Sequence, residues 1–99
     1  MDRVNSESLD RLYQVILDLR TVGECYDFFE DLCTIKELRD LSQRLEVAFL
    51  LDKGLNYQQV AAQTGVSSAT ICRVKKCLDY GSGGYRRAID RARAGEAQE

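Results

Sequence analysis

The stretch QQVAAQTGVSSATICRVKK, Gln58 to Lys76, decides how this chain folds. Two short runs with helical spacing of apolar residues flank Thr64-Gly65-Val66-Ser67, and together they meet the physical demands of a helix-turn-helix. Helices that cross closely need a small side chain near the contact, which Ala61 supplies. The turn needs a residue that tolerates positive φ, and Gly65 does. Val60, Val66, Ile71 and Val74 stand where apolar side chains lock both helices to each other and to a body. Thr64 departs from the pattern, since an apolar residue is more usual just before that glycine. Asn56 suits the N-cap of the first helix, over Tyr57 to Gln63, and Ser67 suits the N-cap of the second, which runs to about Tyr80.

The second helix keeps a face for DNA. Ser67, Ser68, Ala69, Thr70, Cys72, Arg73, Lys75 and Lys76 are the candidate DNA-binding residues, and the N-terminal end of this helix would enter the major groove. Small side chains there permit close approach, hydroxyls reach base edges or phosphates, and an alanine can touch a thymine methyl. Lys75, Lys76, Arg86 and Arg87 suit phosphate contacts, which position a protein without specifying sequence. The competing reading of the same residues is an ordinary helical hairpin with solvated lysines.

Working outward, the chain has 99 residues, enough for one domain with a modest core. Its 44% hydrophobic and 30% charged content is neither a disordered nor a membrane composition. No run approaches the ~18 apolar residues of a spanning helix. The start, MDRVNSESLD, lacks the apolar core of a signal peptide, so a cytoplasmic location is expected. No histidine is present, which removes the commonest general base and the usual partner of a serine or cysteine nucleophile, so no enzyme is expected. Cys25, Cys33, Cys72 and Cys77 form no close pair, so no metal site is expected, and they read as small apolar packing residues.

Net charge is −2, which argues against a uniformly basic binding protein. Its distribution is uneven, however. Residues 1–34 carry eight acidic and three basic side chains, whereas residues 72–93 carry seven basic and two acidic ones. Such asymmetry points to a nucleic-acid surface near one end.

The chain has no proline, so helices can run long. Leu9, Leu12, Tyr13, Ile16 and Leu19 follow helical spacing from about Ser6 to Arg20. Thr21-Val-Gly-Glu24 and Thr34-Ile-Lys-Glu37 read as capping boxes. The first opens a helix with Cys25, Phe28, Phe29 and Leu32 on one side. The second opens a helix through Leu38, Leu41, Leu45, Ala48 and Phe49 that ends at Gly54. Gly81-Ser-Gly-Gly84 reads as a flexible turn, residues 85–94 as a last basic helix, and residues 95–99 as a fraying end. The apolar faces of the first three helices are wide for one small monomer to cover, which predicts a homodimer built by residues 6–54. The expectation is a single all-α domain over residues 1–99, with dimerisation helices at 6–54, a helix-turn-helix at 56–80 and a basic helix at 85–94.

Ala69-Thr70-Ile71-Cys72-Arg73 resembles the recognition-helix segment of the Trp repressor family. Leu41-Ser42-Gln43-Arg44, ten residues ahead of Gly54, resembles the segment that carries a ligand-contacting arginine, and Thr34 falls where the family places a threonine beside the ligand. More narrowly, the chain is similar to the Trp repressor-like YerC/YecD branch, closely over about Asp27 to Leu78 and by pattern over the N-terminal helices. The resemblance implies an intertwined helical dimer that binds double-stranded DNA at a near-palindromic operator. It also implies a small-molecule effector at Thr34, Arg44 and Arg73, the two arginines flanking it. Asp31 and Cys33 stand where the family has leucines, and Val74 replaces a glycine. These departures disfavour tryptophan and leave the effector's identity open.

The function expected from all this is a sequence-specific DNA-binding transcriptional regulator, acting as a repressor. Two rivals stand beside it. Helix-turn-helix units also serve larger machines such as sigma factors and transposases. A helical protein–protein interaction module would instead use the apolar N-terminal helices.

Overall fold

Without proline, a helix runs until a cap or a glycine stops it, and six helices result among the described residues. The computed structural model describes residues 6 to 97. In chain order they form α1 (Glu7–Leu17), α2 (Val22–Leu32), α3 (Ile35–Asp52), α4 (Tyr57–Thr64), α5 (Ser68–Tyr80) and α6 (Gly84–Ala97). No strand occurs among the described residues, in agreement with the all-α expectation. No helix among them is long and apolar enough to cross a membrane.

The caps are where the local sequence places them. Ser6 accepts from the Leu9 amide at 3.0 Å and opens α1. Thr21 accepts from the Glu24 amide at 3.0 Å, and its hydroxyl donates to the Glu24 carboxylate at 3.4 Å. Thr34 and Glu37 form a full reciprocal box: the Glu37 amide donates to Thr34 Oγ1 (3.1 Å) and the Thr34 amide to Glu37 Oε1 (2.8 Å). The backbone bond from Thr34 is the main reason the Glu37 carboxyl is held below its usual range. Each such cap satisfies amides that have no partner inside the helix.

The chain divides into two compact units, one through Leu38 and one from Arg39 onward. In the first unit neither α1 nor α2 contains a buried residue. Phe28 and Phe29 meet edge to face, with ring centroids 5.3 Å apart. Leu17 (74%), Val22 (73%) and Ile35 (77%) are largely exposed, as are Tyr13, Tyr26 and Leu32 to a lesser degree.

The second unit holds the buried core. Val47, Ala48, Leu50 and Leu51 from α3 meet Val60 from α4, Ile71 and Val74 from α5, and Ile89 from α6. Phe49, Leu55, Ala61, Val66, Leu78 and Tyr85 pack around them. Full burial of a side chain of this size stabilises by roughly 1.5–3 kcal/mol. The core stripe of α3 is therefore its C-terminal part, while Leu41 and Leu45 remain exposed.

Three expectations need correction. Cysteine was expected to serve as packing, but Cys77 is exposed and Cys25 and Cys33 are only partly covered; Cys72 is exposed too, in keeping with its other expected place on the outer face of its helix. Cys72 and Cys77 lie off the Ile71/Val74 stripe, so the helical period turns them away from the core. The first helix stops at Leu17, where the Asp18 amide is shared between the Gln14 and Val15 carbonyls. The last helix continues through residue 97 instead of fraying from 95, and residues 98 and 99 lie outside the described residues. Gly81 is required by close approach: a Cβ there would lie 2.4 Å from the Cys77 carbonyl oxygen.

Candidate nucleic-acid interface

The helix-turn-helix is built from α4, the turn and α5. Asn56 and Gln59 cap α4 reciprocally, at 2.9 Å in each direction. Gly65 then takes φ 72°, ψ 8°, the left-handed conformation the turn requires, and donates its amide to the Ala61 carbonyl at 2.8 Å. Thr64, the residue that departs from the apolar pattern, has both hydroxyl functions used. It donates to the Val60 carbonyl (2.7 Å) and accepts from the Val66 amide (3.2 Å), so the hydroxyl pins the turn from inside. Ser67 opens α5 by accepting from the Thr70 amide at 3.3 Å and donates to the Thr70 hydroxyl at 3.1 Å.

α5 is two-faced. Ile71 and Val74 are buried and Leu78 is half-buried on one side. At ~100° per residue, Ala69, Cys72, Arg73 and Lys76 fall on the opposite side, and all four are exposed. Ser68 is exposed at the N-terminal flank and Thr70 is half-covered. The same period carries the stripe Ala69, Arg73, Lys76 on to Tyr80, which is 87% exposed. Tyr80 was not among the residues expected to meet DNA. Its spacing of four from Lys76 was the available signal, and it adds a phenolic hydroxyl to the face.

The cations divide into engaged and open ones. Lys75 is partly covered and pairs with Asp79 at 3.4 Å, an exposed pair of little strength. Arg86 is not an open cation. Its Nη1 donates to Asp52 Oδ1 at 2.7 Å and lies 3.7 Å from Asp90 Oδ1. Arg93 Nη2 lies 3.0 Å from Asp52 Oδ2, within ion-pair reach but off the line of its N–H bonds. Asp52 thus grips two turns of α6 from the end of α3. The hydrogen bond from Arg86, chiefly, holds its carboxyl below the ordinary aspartate range, with burial opposing. Arg73, Lys76, Arg87 and Arg91 make no ion pair with a described residue.

The residues expected at an effector divide as well. Arg44 and Arg73 are both exposed, on α3 and α5 of the second unit. Thr34 lies in the first unit and is engaged as the cap of α3. Val74, which stands in place of a smaller residue of the family, is buried in the core at 1% exposure.

A capped helix, a left-handed glycine turn and a second helix with one buried and one exposed polar face define a helix-turn-helix protein of the DNA-binding kind. The family profile of the Trp repressor protein matches residues 7–93. The chain is 47% identical over 98 residues to the uncharacterized protein YerC of Bacillus subtilis (strain 168), an alignment that takes in 99% of this chain and 94% of that one. It therefore belongs to the Trp repressor family, as its recognition-helix segment had suggested. Among solved structures it is similar to a Staphylococcus aureus protein described provisionally as a Trp repressor (TM-score 0.87, 43% identity, 90% of this chain and 89% of that one). It is also similar to a TrpR-like protein of Eubacterium eligens (TM-score 0.85, 47% identity, 88% and 90% covered).

Proposed function

We propose that this chain is a cytoplasmic transcriptional regulator that binds double-stranded DNA as a homodimer, and that it represses by occupying its operator. The observation that carries the proposal is the two-sidedness of α5: Ile71 and Val74 are spent entirely on the core, which leaves Ser68, Ala69, Cys72, Arg73 and Lys76 facing out. Ser67, Thr70 and Lys75 flank that face. Residues 56–80 read the groove, Arg87 and Arg91 of α6 reach phosphates, and residues 6–54 make the dimer. The exposed Leu17, Val22 and Leu32 of the first unit and Leu41 and Leu45 of the second support self-association, because so many exposed apolar side chains are costly to leave in water. A two-fold dimer presents its two reading helices to half-sites about 34 Å apart, so the operator is near-palindromic.

Selection of bound duplexes from a random pool tests this directly. The expected product is a two-fold symmetric site, retained by the wild type and lost by Arg73→Glu/Lys76→Glu. Retention of DNA at low salt by that double variant would end the DNA reading. An interaction module built on α1 and α2 would instead capture its partner equally well with or without those substitutions. Sedimentation at micromolar concentration checks the dimer, and a stable monomer of 11.2 kDa would refute it.

A further inference from the structure

Thr64 is the residue at which the usual helix-turn-helix pattern fails, and it is the last residue of α4. It is half-buried, and its hydroxyl has two partners. The hydroxyl donates to the Val60 carbonyl one turn back (2.7 Å) and accepts from the Val66 amide two residues on (3.2 Å). The Gly65 amide, between them, donates to the Ala61 carbonyl at 2.8 Å. An apolar side chain at position 64 could make neither of the hydroxyl's bonds.

A helix that ends on a left-handed glycine can close in two ways. In one, the glycine amide makes a single bond to the carbonyl four residues back, and the next amide is left over. In the other, that next amide bonds to the carbonyl five residues back, and the glycine amide to the carbonyl three back. Here the bond from Gly65 to Ala61 is of the first kind. The amide left over is that of Val66, and the Thr64 hydroxyl takes it. An amide covered by protein is costly to leave unpaired. Without the hydroxyl, the second closure gives the Val66 amide a partner at the Ala61 carbonyl. That change alters the torsions of Gly65 and Val66, which alone separate α4 from Ser67, the cap of α5.

We propose that Thr64 is a positioning residue for DNA recognition: its hydroxyl holds the turn in the single-bond closure and so sets the direction in which α5 leaves α4. Ile71 and Val74 are buried and keep the middle of α5 on the core under either closure. A change of closure is therefore felt in the first turn of α5, where Ser68, Ala69 and Thr70 lie. The proposal rests on α5 being the DNA-reading helix, and it places a determinant of fit in a side chain that itself meets no base.

The test uses the full-length protein and two variants that separate the hydroxyl from the methyl group. Thr64→Val keeps the shape and removes the hydroxyl, whereas Thr64→Ser keeps the hydroxyl and removes the methyl. In the arm without DNA, residual dipolar couplings of the backbone amides give the angle between α4 and α5. Thr64→Val should rotate α5 relative to α4, and Thr64→Ser should leave the wild-type angle. An unchanged angle in Thr64→Val overturns the proposal whatever the protein does with DNA. In the second arm, the duplex selected by the wild type and a scrambled duplex of equal length are titrated well below the melting temperature. Thr64→Val should weaken binding to the selected duplex about tenfold, as the loss of fit at one base pair would. Binding to the scrambled duplex should change by less than about twofold, because it depends on cations and not on the angle of the helix. Thr64→Ser should match the wild type on both. The reverse pattern, with loss in Thr64→Ser and none in Thr64→Val, would make the methyl group the working part and refute the role of the hydroxyl. Equal losses on both duplexes would show a cost to the folded protein and not to alignment, and would refute it as well. Absence of any DNA binding by the wild type would defeat the proposed function and the recognition role with it, and the dipolar couplings would still decide what sets the angle.

Discussion

Replacing Gly65 by alanine isolates the cost of the turn between α4 and α5. The residue holds φ 72°, and a Cβ built on it meets nothing within 4 Å. The penalty is therefore one of backbone conformation alone, with no clash to relax. A left-handed residue with a Cβ costs roughly 1–2 kcal/mol. Against this, alanine restricts the unfolded chain and returns about 0.4–1 kcal/mol. The net expectation is a loss of about 1 kcal/mol, which for a domain of this size lowers the melting temperature by about 4–8 °C. Gly65→Asn should lose less than half of that, since asparagine visits the left-handed region with little penalty. The assay is thermal unfolding followed by circular dichroism at one fixed protein concentration, which holds any contribution of self-association constant. An alanine variant that melts at or above the wild type would show that residue 65 does not hold a left-handed turn. An asparagine variant as unstable as the alanine one would show that the cost has another source.

Three further outcomes follow from the same geometry. Ile71→Ala removes a fully buried side chain from the junction of α3, α4 and α5, and denaturant unfolding should show a loss of about 2–5 kcal/mol, against about 0.5–1.5 for Ile71→Val. Asp52 has its carboxyl held low by Arg86, so its stabilising contribution is present above the unfolded value and is lost as pH falls through the folded one; between about pH 5 and pH 2 the wild type should lose melting temperature more steeply than Asp52→Asn. Lys76→Ala should weaken DNA binding similarly across sequences and make the slope of log affinity against log salt shallower by about 1, as removal of one phosphate contact requires.

The helix-turn-helix was legible because its constraints are local. Asn56, Gly65 and Ser67 act through bonds to residues at most four positions away, and Val60, Ile71 and Val74 show their burial through period alone. What the sequence concealed depends on residues far apart along it. Arg86 reads as a phosphate ligand until the fold brings Asp52, thirty-four positions earlier, within 2.7 Å. Tyr85 shows no link to the apolar core in the linear order, since its packing depends on how α6 docks against α3 and α5. Which apolar residues of α3 are buried in its own chain was hidden for a related reason. Leu41 and Leu45 fit the helical period as well as Val47 and Leu51 do, and only tertiary packing selects among them.

An acidic protein that binds DNA is no contradiction once the range of its charges is considered. At physiological ionic strength, exposed charges act over about 8 Å, so a phosphate responds to the side chains beside it and hardly to the net −2 of the chain. Ion pairing sorts those side chains further. Of the seven basic residues between 72 and 93, Arg86 and Arg93 serve Asp52 and Lys75 serves Asp79. Arg73, Lys76, Arg87 and Arg91 remain without an ion pair to a described residue. The acidic residues thus have two separate effects: some consume cations that composition alone would assign to DNA, and the rest, concentrated in residues 1–34, keep the protein soluble and discourage indiscriminate binding. On the function proposed above, a small number of open cations on a face of small side chains leaves affinity modest without close fit, and discrimination is assigned to Ser68, Ala69 and Thr70 at base edges.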